Sequence, residues 1–291
     1  MSDLPRISVV VPNLNSAATL ERCLRSVIDQ RYPALELIVV DGGSSDGSVE
    51  VIQKYADRIA WWVSEKDRGQ ASGINKGFAR ATGDVMNWLC SDDELLPGAL
   101  ARIGRAFAER TDADVVSGAC RVVFDDGAKP DRLWLPRCED IELMPCGNPV
   151  AQQATYWRRA AVGRAAVLDE SFHVAMDTEL FNWLRGRGAR WACIDAELAV
   201  FHMTGTNKTS RAGAAVTVEL ERIFRAYAPP GLRGLAWWQR RVRYPIERRL
   251  ARTPRGRRRQ WWRRVLRLVD LPLGLRFGRR HVAALSWRHW V

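Results

Sequence analysis

Residues 6–15, RISVVVPNLN, and residues 35–48, LELIVVDGGSSDGS, decide the fold. Ile7–Val11 is an apolar, β-branched run, the pattern of a strand buried on both faces. Leu35–Val40 is a second such run. Between them Ser16 stands where it can cap a helix. Leu20, Cys23, Leu24, Val27 and Ile28 then follow the i, i+3, i+4, i+7, i+8 spacing of one apolar helix face, and Pro33 stops it. Working outward, Ser48 to about Tyr55 reads as a short helix, Ile59–Val63 as a third strand and about 70–80 as a third helix. Val85–Cys90 is a fourth strand, and Pro97 opens a fourth helix at its first turn, where a missing N–H costs nothing. Strands alternating with helices predict an α/β fold with a Rossmann-like, mainly parallel sheet flanked by helices.

After about Asp112 the pattern loosens. Val115–Val116, Arg121–Phe124, Trp191–Ile194 and Leu198–Phe201 read as short strands, and about Met176–Arg187 as a helix ending at Gly188. From about Pro229 the composition shifts to Arg, Trp and Leu, which divides the chain into a domain at 1–228 and an extension at 229–291. Residues 231–291 carry 18 arginines and no lysine against Glu247 and Asp270, a net of +16. The whole chain is +12, so the preceding 230 residues are −4. Six of the 13 tryptophans also lie in that tail. Trp261, Trp262, Val265, Leu266, Leu268 and Val269 share one helical face, with most nearby arginines elsewhere. A basic amphipathic helix of this kind suits an anionic membrane surface. Packing of the tail on the domain is the alternative. Nucleic acid is disfavoured, because no nucleic-acid fold accompanies the arginines.

The six cysteines, at 23, 90, 120, 138, 146 and 193, form no CxxC pair and no zinc spacing, so reduced, mostly buried thiols are expected. No secretory signal is evident and no apolar run approaches the roughly 20 residues that cross a bilayer. A soluble or peripheral protein on the cytoplasmic side of the cell membrane is the expectation.

In an open parallel sheet, ligands bind outside the carboxyl ends of the strands. The first strand here runs into Pro12 and Asn13, the second into Asp41 and GGSSDGS, the third into Glu65, Asp67 and Arg68, the fourth into Ser91, Asp92 and Asp93. Carboxylates thus collect along one sheet edge. The glycines do not form a dinucleotide fingerprint, which needs GxGxxG in the first strand–helix turn; that turn is VPNLNS. Asp92–Asp93 is the sharpest feature. Adjacent carboxylates repel, and a divalent ion shared with a diphosphate would relieve them.

In order, VVVPNLN (9–15), LELIVVDGGSSDG (35–47), SEKDRGQASGINKGFARATGD (64–84) and WLCSDD (88–93) resemble family 2 glycosyltransferases of the GT-A fold, over about residues 6–210. The resemblance implies a nucleoside over the first strand ends, with Pro12 and Asn13 shaping its pocket and Asp41 on the base or ribose. Asp67 belongs with these substrate-binding candidates. SDD looks like the family's DXD-type motif, implying Asp92 near ribose or metal and Asp93 as ligand of Mg²⁺ or Mn²⁺. INKG implies Asn75 or Lys76 near donor phosphates. FHVAMDTELFNWL (172–184) is similar to the family's acid segment and makes Asp177 the general base, ahead of Glu179. FHMTGTNKTS (201–210) resembles an HxxGxxKS-like loop, with His202 toward the metal or diphosphate and Lys208 countering phosphate charge. Gln153, in NPVAQQATYWRR, is a donor or acceptor contact. The second strand ends DGG where many relatives have DDG, so one carboxylate of that pocket is missing.

The resemblance implies an inverting transferase: an acceptor hydroxyl, activated by Asp177, displaces a nucleoside diphosphate whose charge the metal stabilises. A nucleotide-sugar donor and a glycan or lipid-linked acceptor are the implied partners, in cell-envelope or exopolysaccharide synthesis. The alternatives are a sugar nucleotidyltransferase, which normally needs a Gly- and Lys/Arg-rich phosphate loop that VPNLNS lacks, and a non-catalytic scaffold binding a sugar nucleotide or membrane.

Overall fold

The structure, a computed structural model, describes residues 4–230 except 126, 128, 206 and 212, and beyond them 241–242, 245–246, 249, 260–261 and 265. The elements run β1 (Ile7–Asn13), α1 (Ala17–Ile28), β2 (Leu35–Asp41), α2 (Ser48–Lys54), β3 (Trp61–Ser64), α3 (Gln70–Arg80), β4 (Val85–Trp88), β5 (Glu94–Leu95), α4 (Ala99–Glu109), β6 (Val115–Phe124), β7 (Arg132–Trp134), β8 (Thr155–Arg158), α5 (Arg159–Val162), α6 (Met176–Gly186), β9 (Trp191–Met203), α7 (Lys208–Arg211) and α8 (Gly213–Tyr227). Short 3-10 turns fall at Ala56–Arg58, Cys138–Cys146 and Gln152–Ala154.

The described strands form one sheet in the order β3-β2-β1-β4-β8-β6-β9-β5, with β7 on β6. The first four in that order are parallel, in the register Val11↔Val39 and Val10↔Trp88. Chain order reverses between β1 and β4, which is where an open α/β sheet leaves its crevice. Beyond β4 the sheet is mixed: β8 is antiparallel to β4 and β6, and β9 runs parallel to β6. The Rossmann-like expectation therefore holds for the half that carries the sequence motifs.

Burial explains the pattern. Every residue of β1 is buried, as a central strand covered by helices on both faces must be. The predicted face of α1 (Leu20, Cys23, Leu24, Val27, Ile28) is its buried face. Helix α3 lies close on the sheet because residue 77 is glycine; a Cβ there would collide with Val10.

Three local readings change. The two short pieces expected at 191–194 and 198–201 are one 13-residue strand, β9. Its apolar pattern is broken where Asp195 is exposed and the pairing with β6 shifts register. Residues 115–124 are likewise continuous. Pro97 precedes α4, which starts after Gly98 turns the chain with φ +76°. Ser16 makes no capping bond to α1; the Ala17 N–H instead reaches Asp46 Oδ2 at 2.9 Å, in the SSDG loop.

The expectation of six reduced cysteines is corrected: Cys138 and Cys193 form a disulfide, while Cys23, Cys90, Cys120 and Cys146 remain thiols. The partners are 55 residues apart, outside any short motif, so no spacing rule could pair them.

The chain divides into two compact units. The first holds 4–138 and 150–220, with the whole sheet. The second holds 139–149 and the described residues from 221 on; within it Phe224 and Ala228 pack with Cys146. The expected extension at 229–291 lies almost wholly outside the described residues. Among those residues no helix is long and apolar enough to cross a membrane.

Candidate active site

The carboxyl ends of β1–β4 bring the expected strand-end residues together in the first unit. Asn13 ends β1 beside Asp41, the end of β2. Asn13 Nδ2 donates to Asp41 Oδ1 at 2.7 Å. Ser64 Oγ donates to Asp41 Oδ2 at 2.6 Å, as do the N–H groups of Gly43 at 3.1 Å and Ser44 at 2.9 Å; the Ser44 hydroxyl reaches Oδ1. Burial opposes ionisation of Asp41, but these donors outweigh it and hold the carboxyl below its ordinary value. Asp41 is 0% exposed. Its oxygens organise the turn after β2. Asn13 is buried too, and its Oδ1 has no partner among the described residues.

Asp67, after β3, is partly exposed and accepts the Gly69 N–H at 2.8 Å. It leans into space left by two glycines: a Cβ at Gly42 would stand 3.0 Å from its Oδ2 and one at Gly73 2.9 Å.

After β4 the chain turns through Cys90, Ser91, Asp92 and Asp93. The Sγ of Cys90 and one carboxylate oxygen each of Asp92 and Asp93 lie within 4.8 Å of one another. Asp93 is 1% exposed; it accepts Gln153 Nε2 at 2.9 Å and the His202 N–H at 3.1 Å. Asp92 retains exposed surface. Burial raises the Asp92 carboxyl; burial, then Asp92 itself, pushes Asp93 well up. Burial, with Asp93 and Asp92 adding, also pushes the Cys90 thiol up. Two carboxylates that penalise each other's charge in a partly closed corner fit a divalent cation, which reverses that penalty.

The surrounding side chains have partners of their own. Gln153 is 7% exposed and its amide supports Asp93. His202 touches Asp93 through its backbone; its ring lies between Glu94 Oε1 (Nε2, 2.7 Å) and Asp125 Oδ1 (Nδ1, 2.9 Å). Both ring nitrogens of His202 are thus engaged by carboxylates. Arg22 joins this network, its Nε 3.1 Å from Glu94 Oε1 and its Nη2 donating to the Asp92 carbonyl at 3.2 Å. Asn75 and Lys76 each have protein partners. Asn75 donates to the Leu168 carbonyl at 2.9 Å and accepts the Leu168 N–H at 2.8 Å. Lys76 Nζ pairs with Glu65 at 2.7 Å. Lys208 donates to Gln70 Oε1 at 3.2 Å, and the Gln70 amide donates to Cys90 Sγ at 3.4 Å. That chain leads from Lys208 to the carboxylate pair.

Asp177 opens α6. Its Oδ1 accepts the N–H of Thr178 at 2.7 Å and the Thr178 hydroxyl at 3.2 Å. Burial raises its carboxyl, and the charge of Glu219 adds. The charge of Asp177 adds to the influences that push the Cys90 thiol up. Glu179 is 2% exposed and bound by Arg164 at 2.7 Å and 3.1 Å, a buried ion pair that holds α6 and leaves no free base. Cys90, Glu94, Asp125 and Gln70 were not singled out from sequence. For Cys90 and Glu94 a signal existed, since they flank SDD directly; for Asp125 and Gln70 there was none.

Comparison with known proteins gives the class. The model of the Glycosyl transferase family 2 family matches residues 8–172. Over 104 residues the chain is 36% identical to the GalNAc(5)-diNAcBac-PP-undecaprenol beta-1,3-glucosyltransferase of Campylobacter jejuni, covering 34% of this chain and 34% of that protein. The chain therefore spans about a third of that relative's length. Two solved structures share the fold. One is S. aureus TarS 1–349 in complex with UDP-GlcNAc, with a TM-score of 0.60, 18% identity, and 76% of this chain and 66% of that one covered. The other is the mannosyltransferase PcManGT from Pyrobaculum calidifontis in complex with GDP-Man and Mn²⁺, with a TM-score of 0.60, 18% identity, and 97% and 85% covered. The chain belongs to glycosyl transferase family 2 and has the GT-A fold of these glycosyltransferases.

Proposed function

We propose that the chain transfers a sugar from a nucleoside-diphosphate sugar to a hydroxyl of a glycan or lipid-linked acceptor, with inversion at the anomeric carbon. The observation that carries this reading is the Asp92–Asp93 pair, with Cys90 beside it, beyond the carboxyl end of β4 at the crevice of the sheet. The nucleotide sugars bound by the two structural neighbours, and the undecaprenol-linked substrate of the Campylobacter relative, support the choice of donor and acceptor class.

In this reading Asn13, with an unpaired buried acceptor, takes a donor group of the base or ribose, since an orphaned acceptor gains most from a new partner. Pro12 walls that pocket and Asp67 lines it. Asp92 and Asp93 hold Mg²⁺ or Mn²⁺. A divalent ion there supplies Lewis-acid stabilisation to the departing diphosphate. Lys208 adds positive charge on the same side. Asp177 takes the proton of the attacking hydroxyl. Its raised proton affinity suits a base working near neutral pH, and places the acid limb of kcat/KM above the ordinary carboxylate range. The arginine-rich tail brings the domain to an anionic membrane where a lipid-linked acceptor resides.

The test is thermal shift with UDP, GDP, dTDP and CDP, with and without Mn²⁺, on wild type and Asp93→Ala, followed by nucleoside-diphosphate release from the matching sugar donor. Stabilisation by one nucleotide that needs metal and is lost in Asp93→Ala supports the donor site. Asp93→Asn and Asp177→Asn should each lower turnover at least ~100-fold, about 2.7 kcal/mol of barrier. Absence of any nucleotide effect sinks the reading in favour of a scaffold.

A further inference from the structure

The start of α6 is held from a distance. Its N-cap residue, Ala175, has no side chain with which to accept the helix's first N–H groups. Instead, the three N–H groups of the chain entering the helix converge on one carboxylate: Glu219 Oε1 accepts the His173 N–H at 2.7 Å, and Oε2 accepts those of Val174 at 2.9 Å and Ala175 at 2.8 Å. Glu219 lies on α8 and is 6% exposed. Burial opposes its ionisation, and the three N–H groups outweigh it, so the carboxyl sits below its ordinary value. A buried carboxylate is tolerated only with such compensation. A helix needing only a cap would use Asp or Ser at position 175. Here the anchor comes from the helix that follows the Lys208 segment.

The consequence falls on Asp177, two residues past Ala175. Among the described residues its side-chain hydrogen bonds are to the adjacent Thr178, and these move with it. What fixes the carboxylate relative to the sheet is the backbone of residues 173–177. We propose that Glu219 is the positioning residue for the base: its carboxylate clamps the entrance of α6 and sets where Asp177 stands over the Asp92–Asp93 corner. This rests on the reading of Asp177 as the base. Glu219 touches no reacting atom. It also couples two parts of the site, because the chain leading into α8 carries Lys208, which bonds Gln70 on the donor side.

The experiment uses Glu219→Gln in the full chain, with three readouts. Hydrogen exchange of peptides covering 172–180 should quicken selectively, since one amide oxygen cannot serve three N–H groups. Turnover should fall about 10- to 100-fold, the scale of a small misplacement of a reacting group, while donor-nucleotide affinity stays within about twofold, because the loss is one of alignment and not of binding. In an Asp177→Asn background the same substitution should add almost nothing, the non-additivity of residues that act as a unit. Glu219→Asp, which keeps the charge but shortens the reach, should lie between. Full-sized losses in both backgrounds, or unchanged turnover with quickened exchange, would overturn the proposal. So would equal losses of turnover and nucleotide affinity, the mark of a general structural role. If Asp177→Asn alone leaves turnover intact, the base assignment fails and this proposal with it, while the exchange data still report whether Glu219 holds the helix start.

Discussion

Replacing Gln153 with methionine is the sharpest probe of the carboxylate pair. The side chain keeps its length and loses only the amide. Asp93 then keeps one of its two protein donors, the His202 N–H at 3.1 Å, and loses Gln153 Nε2 at 2.9 Å. A hydrogen bond to a charged group is worth about 1.5–3 kcal/mol. Burial and Asp92 already push the Asp93 carboxyl up, and the Gln153 amide is the leading influence that lowers it. Its removal therefore makes the carboxyl hold its proton more tightly, and a metal must displace that proton to bind. At about 1.4 kcal/mol per tenfold, Mn²⁺ affinity should fall roughly 10- to 100-fold, the usual cost of losing a group that supports a ligand. The loss should deepen as pH drops. Counting free Mn²⁺ by electron paramagnetic resonance during a titration measures this directly. The control is the adjacent Gln152→Met. Gln152 is also buried, but its amide donates to Asn87 Oδ1 at 2.9 Å and to the Trp88 carbonyl at 2.7 Å, holding β4 and not the carboxylates. Gln152→Met should lower the melting temperature and leave the Mn²⁺ constant alone. Equal Mn²⁺ affinity in wild type and a folded Gln153→Met would refute the reasoning.

Other expectations follow from different parts of the chain. Glu36, buried among Ser8, Thr82 and Arg6 at the opposite end of the strands, has a carboxyl that these partners hold below its ordinary value against the cost of burial. Glu36→Gln should cost about 2–4 kcal/mol in urea titrations above pH 5. The wild-type advantage is complete above the unfolded carboxyl's value of about 4.3 and disappears as pH falls through the depressed folded value; an advantage that grows on acidification would contradict the assignment. Opening the Cys138–Cys193 bridge, which spans 55 residues, should cost at most about 4 kcal/mol on the chain-entropy account. Matching urea midpoints with and without reductant would show that the bridge does not form in solution. The 18 arginines of residues 231–291 should drive sedimentation with anionic vesicles at low salt, weakening as salt rises. A chain ending at residue 230 should stay in the supernatant, and equal binding by both would locate the attraction elsewhere.

The elements legible in the sequence were those whose pattern is local. β1, β2, α1 and α3 declared themselves through burial on a fixed period, and Asp92–Asp93 through two adjacent charges after a strand. What stayed hidden is the direction in which polar side chains spend their hydrogen bonds, because their partners are far away along the chain. Gln153 meets Asp93 across 60 residues and the His202 N–H meets it across 109. Nothing in QQ says that one glutamine holds a strand and its neighbour a carboxylate. The same distance hides the partners of Asn75, whose amide closes on the 168 loop 93 residues on, and of His202, whose ring partners could be named only once β5 and the end of β6 lay beside β9.

The departure of DGG from DDG shows how a loss in the linear pattern need not be a loss in space. With aspartate at position 42, the side chain would enter the volume that Asp67 occupies, since a Cβ alone would come within 3.0 Å of its Oδ2. Glycine there, and Gly73 on the other side, open a slot, and the Gly69 N–H fixes the Asp67 carboxylate in it at 2.8 Å. Asp41 is wholly enclosed and spends its oxygens on the turn, whereas Asp67 keeps exposed surface. The corner between β2 and β3 therefore still presents one carboxylate to a ligand, supplied from the third strand end and not from the second. Recognition at this corner depends on which strand end brings the charge and how much room the glycines leave, and both are properties of the assembled sheet.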